Sequence, residues 1–151
     1  ETLNWQRTEP LEILLQNEQL FGKIEFGRVS FYKYLNELNQ SQLVFSPFGW
    51  GEINYRDFEA FQSVCALIKP SMDHLETWPD LYISDKTYIK YDWDLKNFIK
   101  KTQFYMNDAA ARDMIASSGN ACYGFNLNKQ NYEKILLERF ISGLKFIVYH
   151  S

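Results

Sequence analysis

Phe45-Ser-Pro-Phe-Gly-Trp-Gly-Glu52 follows directly on the apolar run Leu43-Val-Phe45 and leads into a segment that carries Arg56 and Glu59. Leu43 to Phe45 reads as a buried strand, the two glycines as a loop, and Ile53 to Val64 as a helix packed through Tyr55, Phe58, Phe61 and Cys65. In an open α/β sheet, ligands sit in the crevice past the carboxyl ends of the strands. A helix that begins there offers unpaired N–H groups to an anion. The order strand, glycine loop, helix therefore sets both the expected fold and the expected ligand site.

Outward from this stretch the pattern alternates. Upstream, Pro10 to Gln16 offers a short helix and Lys23 to Val29 a short strand. Ser30 is placed to cap a helix in which Phe31, Tyr34, Leu35 and Leu38 repeat at helical spacing, ending near Asn39. Downstream, Ala66 to Lys69 is a second apolar strand closed by Pro70, and Tyr88 to Tyr91 a third. Between them Ser71 to Lys86 is irregular and long enough to mark a functional loop. Leu95, Phe98, Ile99, Thr102 and Met106 form a helical stripe. Asp108 caps a further helix that Gly119 is expected to end. A last helix over Tyr132 to Phe146 is expected to bury Ile135, Leu136, Phe140 and Leu144. Strands alternating with helices imply right-handed crossovers and a Rossmann-like α/β architecture with a parallel sheet between flanking helices.

A length of 151 residues suits one domain with its own core, and 17% aromatic residues exclude disorder. The net charge of −3, with no basic run, argues against nucleic acid as a general partner, so an anionic ligand has to be held locally. Cys65 and Cys122 sit inside apolar patterns without metal-ligand spacing and read as buried thiols of a reducing compartment, which points to the cytoplasm. No apolar run reaches the ~20 residues needed to cross a bilayer. A start at Glu1 without methionine suggests a domain excised from something longer.

Glu52, Arg56 and Glu59 at helical spacing would lie along one stripe, with the guanidinium flanked by two carboxylates. A solvated ion-pair face is the plain reading of such a stripe. Its position at a Phe-Gly-Trp-Gly loop favours a ligand: Gly49 and Gly51 permit close backbone approach and positive φ, and Trp50 could stack on a base or sugar. A tight turn with a core tryptophan is the alternative. His74, with Asp73 and Glu76, supplies hydrogen-bonding groups of the kind that hold a polyol. No dinucleotide, P-loop, nucleophile-elbow or zincin pattern occurs. Asp80, Asp85, Asp92 and Asp94 do not have calcium-loop spacing, so no metal is implied.

Five blocks in order, Ser46-Pro-Phe-Gly-Trp-Gly-Glu52, Arg56-Asp-Phe-Glu-Ala60, Leu67-Ile-Lys-Pro70, His74-Leu-Glu-Thr-Trp-Pro79 and Tyr88-Ile-Lys-Tyr-Asp-Trp93, resemble the donor-binding half of GT-B-fold glycosyltransferases of the group 1 type, over Tyr34 to Tyr123. The resemblance implies a carboxyl-terminal Rossmann-like domain that binds a nucleotide-diphosphate sugar and transfers the sugar to a hydroxyl acceptor without a bound metal. It implies donor-binding roles for Gly49, Trp50, Gly51, Glu52, Arg56, Glu59, Lys69 and His74, with Glu52 facing the sugar as the catalytic candidate and Glu59 on the ribose hydroxyls. It also implies an acceptor-binding amino-terminal domain outside this chain, and leaves room for peripheral membrane association of the whole enzyme. Glu52 and Glu59 stand one residue closer than the family's pair, which keeps Gly51 open as the counterpart of the first glutamate. Val64 stands where the family usually has glycine. A non-catalytic module of the same fold, serving carbohydrate or protein interaction, is the competing expectation.

Overall fold

Three short parallel strands in the order β1-β2-β3 organise the chain. The computed structural model describes residues 5–21, 24 and 27–149, the last seven as backbone. The elements are α1 (Trp5–Gln16), a 3-10 turn (Glu18–Leu20), α2 (Phe31–Gln40), β1 (Leu43–Phe45), α3 (Tyr55–Gln62), β2 (Ala66–Pro70), β3 (Ile89–Tyr91), α4 (Phe98–Asn107), α5 (Ala109–Leu127) and α6 (Lys129–Tyr149). Leu43 pairs with Ala66 and Phe45 with Ile68; Ile68 pairs in turn with Ile89 and Pro70 with Tyr91. Parallel pairing needs a crossover. From β1 to β2 it is α3, whereas from β2 to β3 it is the irregular segment from Ser71 onward.

All five residues of β2 are buried, as expected of a central strand covered on both faces. Alternation divides its side chains. Leu67 joins Val44, Phe48, Phe61, Tyr82 and Tyr88 in one core beside α3, while Ala66 and Ile68 join Ile89, Tyr91, Phe98 and Ile115 in a second core beside α4 and α5. Each fully buried large apolar side chain contributes about 1.5–3 kcal/mol of transfer free energy. The two clusters therefore clamp the sheet from both sides.

Several expectations change. The helix expected from Ile53 starts at Tyr55 because Asn54 is its N-cap and the Asp57 carboxylate accepts the Asn54 N–H at 3.2 Å. Glu52 therefore precedes the helix and does not share a helical stripe with Arg56 and Glu59. Tyr55, in the first turn, is exposed rather than packed. Gly119 does not end a helix: α5 continues to Leu127. A Cβ at Gly119 would lie 2.7 Å from the Thr87 carbonyl oxygen and 2.9 Å from the Phe61 ring, so the glycine serves close packing. On α6, Ile135 is half-buried, but Leu136 and Phe140 are exposed, because the helix touches its surroundings along a narrow strip that includes Tyr132 on Trp78 and the Arg139–Glu76 ion pair. Leu144 lies outside the described side chains. The strand expected over Lys23 to Val29 falls largely outside the described residues, and Ile24 and Gly27 to Val29 carry no strand. Helix α1 begins at Trp5, earlier than expected, with Pro10 buried inside it. Cys65 is buried, its thiol donating to the Leu38 carbonyl at 3.1 Å and pushed up in pKa by burial, while Cys122 is only half-buried; neither is in a disulfide. No described helix is long and apolar enough to cross a membrane.

Candidate functional site at the carboxyl edge of the sheet

Segments following all three strands meet at one edge. The Ser46 N–H still donates to the Ile68 carbonyl, extending the β1 ladder by one bond before Pro47 turns the chain into the glycine loop. Beneath that loop lies a buried polar network. Asp57 and Lys69 have fully buried side chains with Nζ and Oδ2 3.1 Å apart. The same carboxylate accepts from the Ser46 hydroxyl at 2.5 Å and from the Tyr82 hydroxyl at 2.8 Å. Lys69 also donates to the Ser46 carbonyl at 3.4 Å and stands 5.1 Å from the centre of the Phe48 ring. Burial pushes the Lys69 pKa down and the Asp57 charge pushes it back up. Burial also raises the Tyr82 hydroxyl, with the Asp57 carboxylate adding to the effect. Because every strong acceptor in the network has a donor, the charges stay buried without an unpaired partner. The network pins the start of the loop to the end of β2.

Above it, three aromatic rings form a corner from three different connections. Phe48 follows β1, His74 follows β2 and Trp93 follows β3. Trp93 packs edge-on to Phe48 at 5.5 Å and to His74 at 5.0 Å, and its indole N–H donates to the Ser71 carbonyl at 2.9 Å. Glu52 reaches this corner, its Oε1 lying 3.8 Å from His74 Nε2, and both side chains stay partly open to solvent. Glu52 and His74, singled out separately in the sequence, are thus neighbours.

The remaining candidates are placed as follows. Trp50 is fully exposed, so it is not a core tryptophan. Gly51 has open space around it, and Gly49 lies under the Arg7 guanidinium. Neither loop glycine has a positive φ; among the described glycines only Gly27 does. What the loop glycines retain is small size, not a left-handed turn. Arg56 is exposed, with Nη1 3.5 Å from the Phe45 carbonyl. Glu59 turns toward α2, where it accepts from the Tyr34 hydroxyl at 2.5 Å. Burial and then this carboxylate raise the Tyr34 pKa. Lys69 is enclosed by its network and bears on the loop from below. Asp73, next to His74, is held by Lys90 at 2.7 Å and by the Ser84 hydroxyl at 2.5 Å. From His74 onward the segment borders an open cleft of about 500 Å³ that also touches Glu76, Asp80 and Arg139.

The sequence blocks that contain Ser46, Asp57 and Trp93 give these three residues no role of their own, and Arg7 lies outside every block. The Asn54-x-x-Asp57 spacing ahead of an apolar helix is the signal that could single out Asp57, as half of a capping box. Nothing local signals that α1 carries Arg7 to Gly49. Among the described residues no group of three or more His, Cys, Asp or Glu side chains is arranged to hold a metal ion. Comparison with protein-family models, curated proteins and solved structures gives no match.

Proposed function

We propose that this chain is the donor-binding domain of a GT-B-type glycosyltransferase, holding a nucleotide-diphosphate sugar at the carboxyl edge of its sheet for transfer to a hydroxyl acceptor. The observation that carries this reading is the meeting of Glu52 and His74 beside the Phe48–Trp93 corner, contributed by the connections after all three strands. A carboxylate accepts strong bonds from sugar hydroxyls, an imidazole can donate or accept, and exposed aromatic faces suit the apolar side of a sugar ring or a base. Glu52 would face the sugar, with Trp50 and Gly51 as the outer wall. The diphosphate leaving group would gain stabilisation from arginine and from backbone N–H groups at the loop, the electrostatic support such a departure requires. The acceptor and its domain belong to the rest of the enzyme.

Titration calorimetry with uridine, guanosine and adenosine diphosphate sugars tests this. One of them should bind, and Glu52→Gln should weaken binding of the sugar conjugate more than of the bare nucleoside diphosphate. Absence of heat from every nucleotide would count against the reading.

A second reading, a non-catalytic carbohydrate- or protein-interaction module, draws on one observation: Glu59 is occupied by Tyr34 rather than facing the loop. Under it, a glycan or protein would bind with no nucleotide requirement, and Glu59→Ala would leave nucleotide titrations unchanged.

A further inference from the structure

Helix α6 is turned with its apolar side away from its own chain. Leu136, Leu137, Phe140 and Ile141 are spaced so that they fall on one side of the helix. All four are exposed, from 43% at Ile141 to 64% at Phe140. The side that meets the rest of the chain is the more polar one. There the Asn131 amide donates to the Phe125 carbonyl at 3.1 Å, Ile135 is half-buried, and Arg139 pairs with Glu76. An amphipathic helix of a soluble domain ordinarily buries its apolar stripe and leaves its charges in water. A contiguous exposed cluster of large apolar side chains marks a surface that a partner covers.

The charges around the cluster identify that partner. Lys134 and Glu138 lie along one flank, with Nζ and Oε1 4.0 Å apart, and Lys129 and Glu133 form a second such pair toward the start of the helix. From Lys129 through Glu133, Lys134 and Glu138 to Arg139 the sign alternates, so the helix offers no single-sign face to an anionic membrane or to a strongly charged protein. A second copy of the same helix does match it. When two copies run antiparallel about a two-fold axis beside Leu136, the residue two places before Leu136 comes level with the residue two places after it on the other copy. The same flank faces the same flank in such a pair, so Lys134 meets the partner's Glu138 and Glu138 meets the partner's Lys134. Leu136 and Leu137 lie against their own copies at the centre. On the opposite flank Phe140 comes level with the partner's Tyr132, a residue that is itself exposed.

We propose that α6 is a homodimerisation helix, pairing antiparallel with α6 of a second copy of this chain through Leu136, Leu137, Phe140 and Ile141. Four partly exposed side chains offer less than the about 800 Å² per partner of a standard interface, so association is reversible and rises with concentration. The contact is isologous, with one patch serving both subunits, so it closes at two copies and does not propagate. The dimer draws on nothing at the carboxyl edge of the sheet and stands independently of the donor reading.

The test is sedimentation velocity of the 151-residue chain over a concentration series from low micromolar to submillimolar. Wild type should pass from monomer to dimer. Phe140→Glu should stay monomeric throughout, while its thermal unfolding in dilute solution matches wild type, because Phe140 is exposed and glutamate suits a helix. Lys134→Glu alone and Glu138→Lys alone should each weaken the dimer about fivefold or more, since like charges then meet across the two-fold axis. An equimolar mixture of these two variants should recover dimerisation, because each offers the other opposite charges. The bridge between Lys134 and Glu138 within one helix cannot produce that rescue. A chain that is monomeric at every concentration overturns the proposal, and so does one that remains monomeric while floating with vesicles of phosphatidylcholine and phosphatidylserine. A dimer that Phe140→Glu leaves intact, or charge variants that show no rescue on mixing, overturns it as well.

Discussion

Asp57 and Lys69 lie 3.1 Å apart with both side chains fully buried, joining the first turn of α3 to the end of β2 directly beneath the glycine loop. Removing one member of a buried pair strands the other charge. Lys69→Met should therefore cost about 3–5 kcal/mol of unfolding free energy. Urea denaturation reads this out, and a loss below about 1 kcal/mol would mean that the Ser46, Tyr82 and Asn54 donors alone satisfy Asp57.

Val64 has φ of 55°, a left-handed conformation that an L-residue branched at Cβ adopts at a cost of about 1–2 kcal/mol. The side chain is about half exposed, so little packing is lost with it. Val64→Gly should stabilise the chain by about 0.5–1 kcal/mol, because relief of strain outweighs the entropy glycine adds to the unfolded state. A raised midpoint in thermal unfolding is the expected result; a lowered one would place the Val64 side chain in a packing role.

Gly119 supplies the converse case. With the Thr87 carbonyl oxygen 2.7 Å from where an added methyl would sit, Gly119→Ala forces backbone apart where α5 crosses the Phe61 ring. A loss of about 1–3 kcal/mol is expected, despite alanine's better helix propensity. Chemical denaturation checks the sign, and a gain in stability would show that α5 can shift freely.

The Asp73 carboxyl is held down to about 2, chiefly by its bond to Lys90 and then by the Ser84 hydroxyl. A lowered carboxyl pKa contributes stability that is present above the ordinary value of 3.8 and is lost as pH falls through about 2. The urea midpoints of wild type and Asp73→Asn should differ above pH 3.8 and converge toward pH 2. The difference should be small because Asp73 is more than half exposed. Parallel pH profiles would contradict the assignment.

Short apolar runs closed by Pro47 and Pro70 make β1 and β2 legible, alternation over Tyr88 to Tyr91 makes β3 so, and α2 is legible because Ser30 caps a clean helical period. The start of α3 is harder to place, because an apolar Ile53 looks helical while the Asn54–Asp57 capping box fixes the first turn two residues later. Gly119 misleads because a glycine required by a tertiary approach looks the same in sequence as one that terminates a helix. At the site, His74 is legible as a polar residue in a loop after a strand, whereas Glu52 stands out as a candidate but reads as part of a helical stripe with Arg56 and Glu59 that the start of α3 at Tyr55 rules out. Asp57 is not legible, since an aspartate between Arg56 and Phe58 on an amphipathic helix reads as surface until the fold brings Lys69 beneath it. Arg7 is hidden for a different reason: its approach to Gly49 depends on where the fold places α1, which no local pattern encodes.

The most direct measurement is a nuclear magnetic resonance titration of the four tryptophan indole N–H signals with a nucleotide-diphosphate sugar, each signal assigned by a Trp→Phe variant. Donor binding at the carboxyl edge predicts saturable shifts of Trp93 and Trp50, with Trp78, packed on Tyr132, unmoved. Four stationary signals across the nucleotide panel, or a shift confined to Trp78, would contradict it.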